Sequence, residues 1–357
     1  MSNLFWKLKG ELMYFLYLLL ALVVLLMMVT IHEFGHYIAG KLLGFKINEF
    51  SIGFGKALFS KKKKNGEVFS IRLIPLGGYC AFEGEEDNSD NPQSFMKQKP
   101  WKRLIVLFAG AFFNFLSAII FAVILLCSVG YDVPKITKIT DVSNGVIVQR
   151  QEYLQENDII THIDGVEISF IQGNTFNELI AKYEVDDTIS MTIIRDGKKL
   201  NVQATVFEEV NSKGEKSALL GLALTTQPYR FGKALLLAVP FCGVMAWQIL
   251  SMFGQLIIGK IAFSNLGGPI TTITQIASLS MVGVRNFLIL LPLLAVNLAV
   301  FNWLPIPALD GSKMVFTVIE MIRKKPINQK VENTIHTVGL ILLFALVIIA
   351  DLYHLIF

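Results

Sequence analysis

Two histidines four residues apart, with a glutamate beside the first, form the segment of this chain best suited to chemistry: His32-Glu33-Phe34-Gly35-His36. On an α-helix, residues four apart share a face, so both imidazoles reach one ion, and zinc suits two nitrogen donors. Glu33 stands where a general base belongs, able to take a proton from metal-activated water and pass it to a leaving amine. A hydrolytic zinc site keeps three protein ligands and leaves the fourth position to water. Asp310 is the expected third ligand. It follows Asn302-Trp303-Leu304-Pro305-Ile306-Pro307-Ala308-Leu309, where two prolines cannot continue an α-helix, because each lacks an N–H and clashes with the turn before it. The chain is therefore expected to open just ahead of the carboxylate. The plainer alternative is a helix that simply ends in an Asp-Gly turn.

The elements carrying these residues are apolar. The 357 residues are 53% hydrophobic and 17% charged, with a mean hydropathy of +0.55, which indicates a membrane protein. A net charge of +4, scattered along the chain and without a basic helix interleaved with aromatics, argues against nucleic acid as a partner. Cys80, Cys127 and Cys242 lie far apart and make neither a disulfide framework nor a cysteine zinc site. Apolar runs at Leu12 to Ile31, Leu104 to Val129, Phe287 to Leu309 and Thr337 to Ile349 predict four membrane spans. The first resembles a signal peptide in its charged lead, yet it runs into His32 with no small-residue cleavage site, so it reads as a retained helix. A fifth stretch, Ala234 to Ile258, is interrupted by Pro240, Gly243, Gln248, Ser251, Gly254 and Gln255.

Lysines and arginines crowd the loop between the first two runs, including Lys61 to Lys64, and recur after Asp310 at Lys313, Arg323, Lys324, Lys325 and Lys330. Short basic loops stay in the cytoplasm, so an even number of crossings separates these two. That parity predicts that Ala234 to Ile258 lies along the membrane or dips into it, and that both termini face outside. His32 and Asp310 then sit at the inner ends of two spans running the same way. The three ligands share one depth, which favours the metal site over the chance turn. Buried ionisable residues in a membrane also carry a functional presumption.

Residues 131–230 differ in kind, being polar and rich in short β-branched runs. Asp158 to Ile163, Asp164-Gly165 and Val166 to Ile168 read as strand, turn, strand. Thr188 to Ile194 and Leu200 to Val206 repeat the pattern around Arg195 to Lys198, with a helix-like Thr175 to Tyr183 between the pairs. Between the first two spans, Phe50 to Gly55 and Val68 to Leu76 predict a β-hairpin against the membrane, turning at Asn65-Gly66. Glu83 to Asn91 reads as a solvated acidic loop. His162, His336 and His354 take structural readings, the first in a strand and the others in the last helix or at its rim.

With these motifs the chain resembles the site-2 protease family of intramembrane zinc metalloproteases, in its bacterial branch that trims membrane-bound anti-sigma factors. HExxH in a first span and NxxPxPxLDG in a later one are both complete here. The resemblance implies zinc held by His32, His36 and Asp310, with Glu33 as catalytic base. It further implies that Asn302 positions the substrate backbone, that Gly77 and Gly78 act with it, and that the hairpin offers an edge to an extended substrate. Gly110-Ala111-Phe112-Phe113-Asn114-Phe115 resembles the family's GPxxNF element with Ala111 in place of proline. Residues 131–227 resemble a PDZ domain without a clear carboxylate-binding loop, implying a size screen for substrates, and 259–270 resembles the stretch that follows it.

The expected fold is a polytopic α-helical membrane protein with about four transmembrane helices, a membrane-associated β-hairpin and one extracytoplasmic α/β PDZ-like domain. The expected divisions are a first span with HExxH (1–40), a cytoplasmic loop with the hairpin (41–103), a second span (104–130) and the PDZ-like domain (131–230). A membrane-surface or re-entrant segment (231–285), a third span (286–312), and a cytoplasmic loop with a fourth span (313–357) complete them. Expected partners are single-span membrane proteins such as anti-sigma factors, with signal-peptide remnants as further substrates, and membrane lipid. The expected location is the bacterial inner membrane, with the active site near its cytoplasmic side. Two alternatives are a non-proteolytic scaffold presenting the PDZ-like domain and an HExxH protease whose third ligand is Glu320 or Glu332. An ion transporter has little support, since no inverted repeat is apparent.

Overall fold

The structure, a computed structural model, describes residues 2–85, 89–139, 142–143, 146–147, 153–210, 216–261 and 267–356. Residues 86–88 of the expected acidic loop and 262–266 of the 259–270 stretch lie outside these. The chain divides into two units, one made of residues 1–121 and 242–357 and the other of 122–241.

In the first unit, α1 (Ser2–Leu43) carries the HExxH segment near its C-terminal end. Two strands follow, β1 (Ile47–Lys62) and β2 (Val68–Phe82), and then α2 (Pro100–Ser128). The strands are longer than expected and do more than form a hairpin. Glu49–Ile52 pairs with Gly78–Ala81 on one side and with Val68–Ile71 on the other, while Phe59–Lys62 pairs with the outer edge of Val68–Ile71. Two strands thus make four rows, because each bends midway. Gly53 and Gly55, both at positive φ, bend β1, and a Cβ at Gly53 would lie 2.9 Å from two carbonyl oxygens of β2. Gly78 to Phe82 is left as one outer row. At the base of the sheet the buried Glu67 carboxylate meets Lys41, Lys63, Tyr37 and Asn65, tying β2 to α1.

The second unit holds α/β structure. β3 (Pro134–Ile139), β6 (Ile159–Ile163), β8 (Thr188–Arg195), β9 (Lys198–Thr205) and β12 (Leu222–Thr226) form a sheet in the order β12-β3-β6-β8-β9, with β7 (Val166–Glu167) pairing with β6. Two small pairs flank it: β4 (Val142–Ser143) with β5 (Val146–Ile147), and β10 (Phe207–Val210) with β11 (Lys216–Leu219). Both expected hairpins form, with turns at Asp164-Gly165 and Asp196-Gly197. The helix α3 (Phe176–Ile180) is shorter than the expected 175–183, and starts at a capping box between Thr175 and Glu178. Ile136, Ile160, Ile189, Met191 and Ile193 are sealed in the core, and Asp158 beneath it is held by the Arg195 guanidinium through two contacts.

The interrupted stretch after this module is a single helix, α4 (Phe231–Ile257), followed by the shorter α5 (Pro269–Val282). Gly243 and Gly254 cost about 1 kcal/mol each, glutamine little, and Pro240 about 3 kcal/mol within the helix, a penalty that the long apolar context of α4 outweighs. Among the described residues five helices are therefore long and apolar enough to cross a membrane, where four were expected: α1, α2, α4, α6 (Val284–Trp303) and α8 (Gln329–Ile356). Between the last two, α7 (Asp310–Arg323) begins at the carboxylate itself. The expected third span ends earlier than its apolar run, at Trp303, because Pro305 and Pro307 break it.

Candidate metal centre

Helix α1 places His32 and His36 on one face, both buried, and the opened chain between α6 and α7 delivers Asp310 to them. His32 Nε2 lies 2.9 Å from Asp310 Oδ2, His36 Nε2 lies 3.1 Å from the same oxygen, and the two Nε2 atoms are 3.1 Å apart. Two imidazole nitrogens and one carboxylate oxygen form the one such donor group among the described residues. Tetrahedral zinc with bonds of about 2.0–2.1 Å needs donors roughly 3.3 Å apart, so outward shifts of a few tenths of an ångström admit the ion. The donor set fits zinc.

The second helix fixes both rings. His36 Nδ1–H donates to the Val106 carbonyl at 2.8 Å, which leaves Nε2 with its lone pair for a metal. The Asn114 amide lies 3.3 Å from His32 Nδ1, and its Oδ1 has no partner among the described residues although the side chain is sealed from solvent. With the amide turned by a half-turn, Oδ1 accepts from His32 Nδ1–H, and Nε2 again faces the position between the three donors. Between these contacts Gly110 lets the helices close, since a Cβ there would lie 2.6 Å from His36 Cε1 and 2.8 Å from His32 Cε1. Gly35 makes the matching approach from α1, where a Cβ would strike the Ala109 carbonyl. Val106, Gly110 and Asn114 were not anticipated as parts of the centre. Their spacing of four on α2 makes them one stripe facing α1, a signal that becomes readable once the helix carrying them is paired with the HExxH helix.

Glu33 is one residue from His32, and its Oε2 accepts from the Cys80 N–H at 3.0 Å, so the outer row of β2 is fastened to the carboxylate. Gly78 sits beneath it, where a Cβ would be 2.7 Å from the Ser51 carbonyl and 3.7 Å from Glu33 Cγ. Gly77, at φ +153°, leaves room for the Phe54 ring. Asn302, on the last turn of α6, donates to the Leu298 carbonyl at 2.9 Å and lines the same cavity as Glu33, His32 and Asp310. That cavity measures about 950 Å³, and Tyr79 to Phe82 form part of its wall. Gly77 and Gly78 lie just before this wall segment rather than on it.

Across the cavity the Lys313 ammonium pairs with Glu85 at 2.8 Å. Burial works against the Lys313 charge, but Glu85 outweighs it and raises its pKa. Cys80 stays a thiol, since burial and then Glu33 push it well up, so it does not join the donor set. Of the alternative third ligands, Glu320 is engaged by Arg103 at 2.6 Å, and Glu332 lines an adjoining cavity of about 410 Å³ and is not in the donor group.

A family model described as Peptidase family M50 matches residues 20–346. A candidate zinc metalloprotease of Campylobacter jejuni is 31% identical over 93% of this chain and 91% of its own length. Similar proteins, also named as candidate zinc metalloproteases, occur in Fusobacterium nucleatum (30% identical, 91% and 94% covered) and Clostridium perfringens (29%, 96% and 99%). The crystal structure of the PDZ domain of an SdrC-like protein from Listeria monocytogenes is 23% identical, with 27% of this chain and 92% of that chain covered and a TM-score of 0.21.

Proposed function

We propose, from the premise that this chain belongs to peptidase family M50, that it is a zinc endopeptidase that cuts single-span membrane proteins at or within the bilayer. The observation that carries this reading is the convergence of His32, His36 and Asp310 from separate elements onto one point, with Glu33 beside them in a cavity large enough for a peptide. Zinc, when bound by these three residues, supplies Lewis-acid polarisation and acidifies water toward a pKa of about 7. Glu33 receives the proton released there and delivers it to the leaving amine. The Cys80 N–H holds that carboxylate in place, while Val106 and Asn114 orient the two rings.

A transmembrane helix hides its peptide bonds, so the substrate has to be extended before attack. The outer row of β2 from Gly78 to Phe82 offers an edge for strand pairing alongside Glu33. Asn302, with an amide lining the cavity, orients the substrate backbone, and Gly77 and Gly78 keep the edge flat. The exposed Phe54, Leu58, Leu73, Ile74 and Leu76 suit a sheet that touches lipid. Anti-sigma factors and signal-peptide remnants are the substrates this reading favours. The α/β module, read as PDZ-like and extracytoplasmic, limits how large an outer segment can approach, and the site lies near the cytoplasmic side of a bacterial inner membrane.

The test uses purified protein in liposomes with a single-span reporter. Glu33→Gln is expected to retain one zinc per chain and lose cleavage by about 10²–10⁴-fold. Undiminished cleavage by that variant removes the base, and zinc retained by Asp310→Ala removes the ligand set.

A further inference from the structure

The segment that delivers Asp310 has little of its own to hold it. Of residues 305–308, Pro305 and Pro307 have no N–H. The Ile306 N–H turns back to the Leu304 carbonyl at 2.7 Å. The remaining donor, Ala308 N–H, goes to His336 Nδ1 on α8 at 3.2 Å. Ala308 has φ +77°, a conformation a non-glycine residue adopts only when its surroundings impose it. One helical turn beyond His336, Gly339 lies so close to Pro307 that a Cβ would overlap the proline ring, with Pro307 Cα 3.2 Å away. His336 is itself placed by the Phe316 ring of α7, 5.7 Å between centroids. An imidazole accepting at Nδ1 carries its proton on Nε2, and that Nε2 is buried with no partner among the described residues. Nδ1 is therefore the working atom of this histidine: it accepts from Ala308 N–H before Asp310 and lies 3.5 Å from Ser312 Oγ just after it.

We propose that α8 is the clamp that positions the third metal ligand, with His336 and Gly339 as positioning residues that hold the bent Pro305–Leu309 segment so that Asp310 meets the two imidazoles. His336 touches neither the donors nor the cavity wall beside Glu33; it acts through Ala308, two residues before Asp310. The physical logic is that of an outer-shell contact: a ligand on an unsupported loop gives up its geometry and hence its metal. This inference rests on the reading of Asp310 as a zinc ligand.

The experiment measures zinc affinity of the full chain in detergent by chelator competition, together with kcat and KM on a single-span reporter and the Tm. His336→Leu, which lacks an acceptor, is expected to weaken zinc by about 10–100-fold and to lower kcat while KM holds. His336→Asn, whose Oδ1 falls close to the position of Nδ1, is expected to recover most of the loss, which a purely space-filling role would not allow. Gly339→Ala tests the same clamp without removing a polar group. Alanine improves helix propensity, so weaker zinc binding at an unchanged or raised Tm supports the clamp. If Asp310→Ala loses zinc but His336→Leu, or Gly339→Ala should the former not fold, binds it as wild type does, the clamp is refuted while the metal site stands. If Asp310→Ala keeps its zinc, both fall together.

Discussion

Gly110→Ala adds one methyl group at the place where α1 and α2 approach the candidate metal centre. The new Cβ would lie 2.6 Å from His36 Cε1 and 2.8 Å from His32 Cε1, whereas carbon contacts are comfortable from about 3.5 Å, so the rings must retreat by roughly 0.7–0.9 Å. Neither can swing away cheaply. His36 is bonded to the Val106 carbonyl one turn earlier on the same helix, and His32 faces Asn114 one turn later. Parting the helices instead stretches both contacts. Displacement on this scale is expected to cost 10–100-fold in zinc affinity and about 100-fold in cleavage rate. Helix propensity works in the opposite direction, favouring alanine by about 1 kcal/mol, so a loss of function without a matching loss of Tm is the diagnostic pattern. The assay is chelator competition followed by reporter cleavage, with Gly254→Ala as control because nothing lies within 4 Å of its Cβ position. Wild-type zinc affinity in Gly110→Ala would refute the claim that this glycine is there to admit the imidazoles.

Asn114→Leu keeps the volume but removes the amide facing His32 Nδ1. Zinc affinity is expected to fall 10–100-fold, and equal retention by mutant and wild type against a chelator series would overturn the assigned contact. Gly77→Val places a branched side chain at φ +153° and against the Phe54 ring. It should lower kcat/KM tenfold or more with zinc content unchanged, and steady-state kinetics beside metal analysis separates the two effects. Burial pushes the Glu67 carboxyl up, but Lys41 and Lys63 outweigh it and bring its pKa down to about 2. The folded-state value is below the unfolded one of 4.5, so this stabilisation is complete above pH 4.5 and disappears as pH falls toward 2, with a ceiling of about 3 kcal/mol. Thermal melts from pH 7 to 3 should show a steeper loss in wild type than in Glu67→Gln, and parallel curves count against the tie.

The residues of the centre were legible in the chain because local chemistry constrains them. A spacing of four puts two imidazoles on one helical face wherever that helix goes, and two prolines open the backbone before Asp310 whatever packs around them. The hairpins of the α/β module were readable for the same reason, since Asp164-Gly165 and Asp196-Gly197 set their turns locally. What lay beyond the sequence depends on pairing between distant segments. The four-row sheet follows from bends that bring Glu49–Ile52 between two parts of β2, and the continuity of α4 follows from apolar context overriding its interruptions. Gly110 and Asn114 stand out in the sequence only as parts of a motif, and His336 as a residue of the last helix, until tertiary contact sets them against His32, His36 and Ala308. The candidate donors are written in short-range spacing, whereas the atoms that orient them belong to other helices, and only folding brings them within reach.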